Sequence, residues 1–426
     1  MKSTTQRPIE VWADWDGLAR PNLMGILTAT PSRGKEIFSF AYHPEWLASG
    51  QSQLIDPALR LFSGLQYPLA GKFNFGMALD SSPDRWGRLL MERREAQAAR
   101  EEGRAKRSLR ESDYLLGVYD EHRMGGLRFR TDPAGPFLDD NREFACPPWT
   151  SLRELEQASL GIEREGSEKD PNYRKWLRML IAPGGSLGGA RPKAGVTDTQ
   201  GRLWIAKFPS RGDDMDFGAW ELLVHRLAER AEITVSEALA RTYNTKRHSF
   251  MTKRFDRTAT GKRIHFVSAM TALNRNDGDD ASTGVSYLEL AEFLMKHGAH
   301  TDRDLEQLWR RIVFYICVSN VDDHLRNHGF LLAQEGWELS PAYDMNPDPY
   351  ADGLKLNISE SDNDQSLELA YEVASLFRVA PSKARNIVSE VVKIVKTWRK
   401  LALSLNISSQ ECEQMESAFR VADSEA

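Results

Sequence analysis

The stretch Asn320-Val321-Asp322-Asp323-His324-Leu325-Arg326-Asn327 is followed by Pro341-Ala342-Tyr343-Asp344. Each segment comes after a short apolar run. An acid, an amide five residues later and a second acid beyond a hairpin-length gap make up a phosphoryl-transfer set. The first acid takes the proton of the attacking hydroxyl, while the amide and the second acid hold magnesium on the nucleotide phosphates. The competing reading is an acidic loop whose Asp and Asn residues cap turns. It accounts for each residue singly, but not for three of them in this order. His324 is a candidate for orienting the loop or a phosphate, and Asp323 has no argued role.

Phosphoryl transfer needs further parts, and the sequence upstream supplies candidates. Gly184-Gly185-Ser186-Leu187-Gly188-Gly189-Ala190-Arg191-Pro192-Lys193 has four glycines in six positions. Backbone N–H groups there can approach phosphate oxygens without a Cβ in the way. It is neither a Walker loop nor a Gly-x-Gly-x-x-Gly fingerprint, so alone it reads more readily as a flexible loop; its position before a strand bearing a lysine changes that weighting. Lys207 lies in the apolar strand pattern Trp204-Ile205-Ala206-Lys207-Phe208, where a lysine needs a partner or solvent. Glu221, in the next helix, is the candidate acid to hold it. Lys253-Arg254-Phe255 ends a strand and enters a connector, where adenine can be held by backbone groups. A plain core strand fits those residues as well.

Composition narrows the classes. The 426 residues are 41% hydrophobic and 27% charged, ordinary for a globular chain of two or three domains. With 56 basic against 61 acidic residues the net charge is -5, which argues against a protein that coats nucleic acid. Cys146, Cys317 and Cys412 are too scattered for a metal site and suit a reducing compartment. Met1 to Glu10 is polar, and the apolar run Ile312 to Ser319 is too short to span a bilayer. A cytoplasmic protein without a membrane role is expected.

Strands are expected at Val11–Ala13 and Met24–Leu27, around the polar turn Asp14–Pro21, and at Phe38–Tyr42, where period-two alternation is clear. Asn74–Glu95 has helical spacing, and the charge-dense run Arg93–Glu111 reads as a solvated helix face. Tyr114–Gly117 and Gly125–Phe129 read as turn-and-strand. The Pro-, Asp- and Gly-rich segment 131–148 marks a boundary near residue 145. Helices follow at Leu152–Leu160 and Tyr173–Leu180. Next come a strand at Leu203–Phe208, a helix at Phe217–Ala231, and strands at Val235–Thr242 and Ser249–Phe255. Beyond residue 286 the pattern is helical, apart from a hairpin at 328–340. The expected division is 1–145, 146–260 and 261–426.

Taken together, Ser186 to Lys193, Lys207, Lys253-Arg254-Phe255-Asp256-Arg257, Asn320-x-Asp322-x-His324-x-x-Asn327 and Pro341-Ala342-Tyr343-Asp344 resemble the HipA family. These are serine/threonine kinases that act as toxins of bacterial toxin–antitoxin pairs. The resemblance implies an α+β, kinase-like two-lobe fold, with an N-terminal β-rich subdomain and a helical C-terminal lobe. It implies ATP and magnesium as cofactors, Asp322 as catalytic base, Lys207 as the phosphate lysine, and Asn327 and Asp344 as metal ligands. The nucleotide would be bound by Gly188, Gly189, Ala190, Arg191, Pro192, Lys193, Lys253, Arg254, Phe255, His324, Leu325, Arg326, Tyr343 and the residues already named. Ser186 would be the autophosphorylated serine. The implied partners are a HipB-like DNA-binding antitoxin, through which DNA is met only indirectly, and a protein substrate such as an aminoacyl-tRNA synthetase. Asp344 is followed by Met345-Asn346 rather than Phe-Gly, so ordinary activation-loop control is not expected. The alternatives are a small-molecule kinase of related fold and a catalytically silent corepressor module.

Overall fold

The alternating runs near the start of the chain pair into a sheet, as their period demands. A computed structural model describes residues 6–51, 53–138, 147–181, 191–350 and 352–425. The chain divides into two units, Met1–Arg211 with Asp256–Val267, and Gly212–Phe255 with Ser268–Ala426.

In the first unit, β1 (Arg7–Ala13), β2 (Asn22–Ser32), β3 (Lys35–Tyr42) and β4 (Leu127–Arg130) form an antiparallel sheet in the order β3-β2-β1-β4. Ile9, Val11, Ala13, Leu27, Ala29 and Phe40 are fully buried along it. The short helices α1 (Pro44–Ala48) and α2 (Gly76–Asp80) precede the long α3 (Arg85–Glu101), and α4 is Glu111–Leu116. Asn74–Glu95 is therefore helical in two pieces. The break falls where Asp84 caps α3 by accepting from the Gly87 N–H (2.7 Å).

Two expectations change here. Tyr114–Leu116 is part of helix α4, not turn-and-strand. Asp113 accepts from the Arg110 N–H (3.0 Å), the reciprocal half of a capping box, a start signal that the apolar triplet hides. The charge-dense run is not a single solvated helix face either. After Glu101 the chain leaves the helix, and Arg104 and Arg107 close on the buried Glu95 (2.5 and 3.4 Å).

α5 (Leu152–Ile162) and α6 (Tyr173–Ile181) pack together ahead of the antiparallel hairpin β5 (Lys193–Thr197) and β6 (Leu203–Lys207). β5 is an unexpected strand. Lys193 through Val196 are all buried, so no alternation appears in its sequence. Asp256 returns the chain to this unit. It is fully buried and accepts from the Gly125 N–H (2.9 Å) and from Arg257 Nη1 (2.5 Å).

The second unit begins with α7 (Phe217–Arg230), capped by Asp216, and the hairpin β7 (Ala238–Thr242) and β8 (His248–Lys253). Gly218 sits so close to β8 that a Cβ there would stand 2.1 Å from the His248 carbonyl oxygen. After β9 (Phe266–Ser268), of which only Ser268 belongs to this unit, come α8 (Ala269–Ala272), α9 (Tyr287–His297) and α10 (Thr301–Val318). From Leu308 to Val318 every α10 residue is buried, so it is the central helix of this unit. The expected hairpin is β10 (Gly329–Ala333) and β11 (Gly336–Leu339). The C-terminal helices α11 (Leu367–Val373), α12 (Pro381–Val395), α13 (Trp398–Ser404), α14 (Ser409–Met415) and α15 (Arg420–Ser424) complete it. Trp398 stacks on Phe419 at 4.3 Å. Cys317 lies in the α10 core, where burial pushes its thiol pKa up. Among the described residues, no helix is long and apolar enough to cross a membrane.

Candidate active site

The two loops singled out in the sequence both belong to the second unit, and the local chain explains how each is set. α10 ends at Ser319, which adopts the left-handed conformation (φ 49°). The Asn320 N–H returns to the Tyr315 carbonyl (3.1 Å), turning the chain out of the helix. Asp322 is exposed, whereas its neighbour Asp323 is fully buried. The Asp322 carbonyl accepts from the His324 N–H (2.9 Å) and from Asn327 Nδ2 (3.0 Å). Because the amide nitrogen of Asn327 is used inside the loop, its oxygen is the end left to meet a cation.

The second loop follows the β10–β11 hairpin and is bonded to the first at three points. The Tyr343 hydroxyl donates to the Arg326 carbonyl (2.8 Å). The Asn346 N–H donates to Asn320 Oδ1 (2.9 Å), and the Asp348 N–H to the Ser319 carbonyl (3.0 Å). Asp344 lies between these ties with φ 58°, a left-handed conformation that costs a non-glycine residue energy and that clusters at functional sites. Asn346 Nδ2 donates to Asp344 Oδ1 (3.4 Å). The Phe255 ring lies 5.5 Å from that of Tyr343.

The remaining candidates of this unit differ in how they could act. His324 Nδ1 is buried and has no hydrogen-bond partner among the described residues, as is also true of Asn320 Nδ2, Asp323 Oδ1 and His328 Nδ1 in and beside the loop. Arg326 faces Asp277 at 3.8 Å. Leu325 is 3% exposed, so its side chain is core and only its backbone could meet a ligand. Arg254 is buried, and the Lys253 N–H already donates to the Glu237 carbonyl (2.8 Å). A connector contact at Lys253 would therefore use its carbonyl.

Sequence reasoning missed what lies under the first loop. Asp323 Oδ2 accepts from the Tyr287 hydroxyl (2.7 Å) and from His328 Nε2 (2.6 Å). Tyr315 and Arg311 are buried close by. Burial first, and then the Asp323 charge, pushes the Tyr287 and Tyr315 hydroxyls far up, while burial lowers the Arg311 guanidinium. The one available signal was the doublet Asp322-Asp323, since adjacent residues in extended chain point opposite ways.

The first unit holds the other candidates. Lys207 ends β6 and is half-buried, opposite Lys193 in the ladder. Lys193 was expected in the phosphate loop, but it opens β5. Its ammonium is buried against Asp84 (2.9 Å), with side chains 2% and 1% exposed, so the charge serves an internal ion pair. Trp86 Nε1 donates to the Lys193 carbonyl (3.0 Å). Arg191 is half-buried and Pro192 buried. Ser186, Gly188, Gly189 and Ala190 lie outside the described residues. Glu221 is buried on α7, in the second unit.

A magnesium–nucleotide fits the donors of the paired loops. Among the described residues, no group of three or more His, Cys, Asp or Glu could hold a metal. Magnesium carried on phosphates, however, needs only one or two protein oxygens. The Asn327 amide oxygen and the Asp344 carboxylate supply that number.

Known proteins agree with this architecture. A solved HipA from Shewanella oneidensis MR-1, in a complex of its toxin–antitoxin system with HipB and operator DNA, is similar over 97% of this chain and 95% of its own. The TM-score is 0.66 at 15% identity, a likeness of fold that agrees with the α+β, kinase-like class expected. A curated Haemophilus influenzae protein described as a putative kinase is 32% identical over 107 residues. That match spans 24% of this chain and 31% of the relative's length. The model of the HipA-like C-terminal domain matches residues 185–398, half of the chain and the span that carries both loops. The chain belongs to the HipA family.

Proposed function

We propose that this protein is an ATP- and magnesium-dependent serine/threonine-protein kinase and the toxin of a bacterial toxin–antitoxin pair. One observation supports it above the others: the loop bearing Asp322 and Asn327 is tied to the loop bearing Asp344 by three hydrogen bonds. Bound magnesium would neutralise phosphate charge as the γ-phosphoryl group leaves. Asp322, exposed at the loop surface, accepts the proton of the attacking hydroxyl. Asn327 and Asp344 present oxygens to the cation, while His324 donates to the nucleotide from its orphaned nitrogen. Lys207 is the proposed phosphate lysine. Such catalysis consists of positioning and charge stabilisation. In this reading residues 146–260 form the nucleotide-binding lobe and 261–426 the catalytic lobe.

A HipB-like antitoxin is the proposed partner, through which the chain meets operator DNA. An aminoacyl-tRNA synthetase is the proposed substrate, so that translation is inhibited in the cytoplasm. Phosphorylation of Ser186 would add about -1.5 to -2 charge to the glycine-rich loop and repel the triphosphate, switching the kinase off. Equal ATP affinity in Ser186→Asp and wild type would refute that switch.

The test is incubation with ATP, magnesium and bacterial lysate, with phosphosite mass spectrometry of the products. Wild type is expected to mark serine or threonine on a protein, and Asp322→Gln to mark none. A phosphorylated small molecule without any phosphoprotein would overturn the protein-kinase assignment. Absence of all phosphotransfer would leave only a corepressor role.

A further inference from the structure

We propose that Asp323 is a positioning residue for the catalytic base, and that Tyr287 and His328 are the donors that hold it. The inference rests on the kinase reading of the neighbouring Asp322. Asp323 is fully buried, and one of its oxygens receives both the Tyr287 hydroxyl (2.7 Å) and His328 Nε2 (2.6 Å). Tyr287 is the first residue of α9, and His328 directly precedes β10. One carboxylate oxygen thus joins the loop to two elements that arise before and after it in sequence. Tyr287 and His328 are themselves buried, and their rings lie 5.7 Å apart. The anchor cannot swing without leaving two buried donors without a partner, which is costly.

The position of this anchor gives it consequence. Asp323 lies between Asp322 and His324, whose backbone groups close the turn from the His324 N–H to the Asp322 carbonyl. The same carbonyl receives Asn327 Nδ2. With the Asp323 side chain fixed inward, the exposed Asp322 side chain is fixed outward. Release of Asp323 frees the 322–324 backbone to rotate, and the proton acceptor moves with it. A displacement of about 1 Å in a reacting group costs about 100-fold in rate.

The experiment measures kcat and KM for ATP per folded molecule, together with Tm, in Asp323→Ala, Asp323→Asn and Tyr287→Phe. Asp323→Ala is expected to lower kcat about 100-fold, with a much smaller change in KM. Asp323→Asn keeps an oxygen for both donors and recovers most of that loss. Tyr287→Phe removes one donor and gives a smaller loss of kcat. Val391→Ala, a cavity made in fully buried α12 packing, lowers Tm with kcat per folded molecule unchanged. An Asp323→Ala enzyme with wild-type kcat per folded molecule would overturn the proposal, because a merely stabilising contact moves Tm alone. If Asp323→Ala does not fold, Tyr287→Phe decides: an unchanged kcat overturns the proposal and a reduced one supports it. Wild-type protein without phosphotransfer would sink the kinase reading, and this inference with it. Active wild type with unaffected variants sinks the inference only.

Discussion

Asp84 and Asp322 have the same side chain, and their surroundings leave one buried and paired and the other exposed. Asp84 is 2% exposed, caps α3 with one oxygen and meets Lys193 with the other. Asp322 stands exposed at a loop surface held by its backbone carbonyl, so its carboxylate takes no part in building the loop. A buried acid stabilises only through its partner, whereas an exposed acid on a fixed backbone remains available for a proton. The second arrangement can do chemistry because other groups do the holding.

Substitutions test that contrast. The largest expected effect on activity is that of Asp322→Asn, a loss of about 100- to 10,000-fold in kcat for removing the proposed general base. Its thermal midpoint should match wild type, because among the described residues no hydrogen bond or ion pair uses the carboxylate. A large drop in midpoint would erase the difference between the two acids.

Asp84→Ala should behave the other way. It leaves the Lys193 ammonium buried without its carboxylate and should cost about 3–5 kcal/mol in urea unfolding. Asp84→Leu combined with Lys193→Met replaces the pair by apolar packing and should regain most of that loss. Failure of the double variant to recover would show that capping of α3, not charge pairing, is the main use of Asp84.

Gly218→Ala probes a contact made by shape alone. The added methyl would press on the His248 carbonyl oxygen, and overpacking of this kind costs about 1–3 kcal/mol. Unchanged stability would mean that α7 shifts freely on β8. The smallest expected effect is one of pH. Arg104, with the Arg107 N–H, holds the Glu95 carboxyl down at about 2 against an ordinary 4.5. A depressed carboxyl contributes stability above its unfolded value that is lost as pH falls through the folded one. Wild-type stability should therefore fall faster than that of Glu95→Gln between pH 4.5 and about 2. Parallel curves would show that the arm after α3 is held without the charge.

The candidate site could be proposed from sequence because its residues are local. Asp322, Asn327 and His324 lie within one turn, and a short hairpin later comes Asp344, so spacing singled out the set. Strands β1 to β3 were legible as short apolar or alternating runs set off by polar turns, although Phe38, Ser39 and Phe40 in β3 are all buried. β5 was not, since full burial removes the alternation. Lys193 was misread for a related reason. It follows a glycine-rich loop in sequence, while its partner Asp84 is 109 residues away.

The sequence alone determined the family, the strand periodicities and the residue types available for phosphoryl transfer, since these depend on neighbours along the chain. Tertiary structure decided which charges are consumed internally and which are left free to react. Burial and pairing arise from segments distant in sequence: spacing to Asn327 singled out Asp322, but no local pattern showed that Asp323 is buried and paired. Only the presence of Tyr287 and His328 beneath the loop makes one of them an anchor and leaves the other exposed.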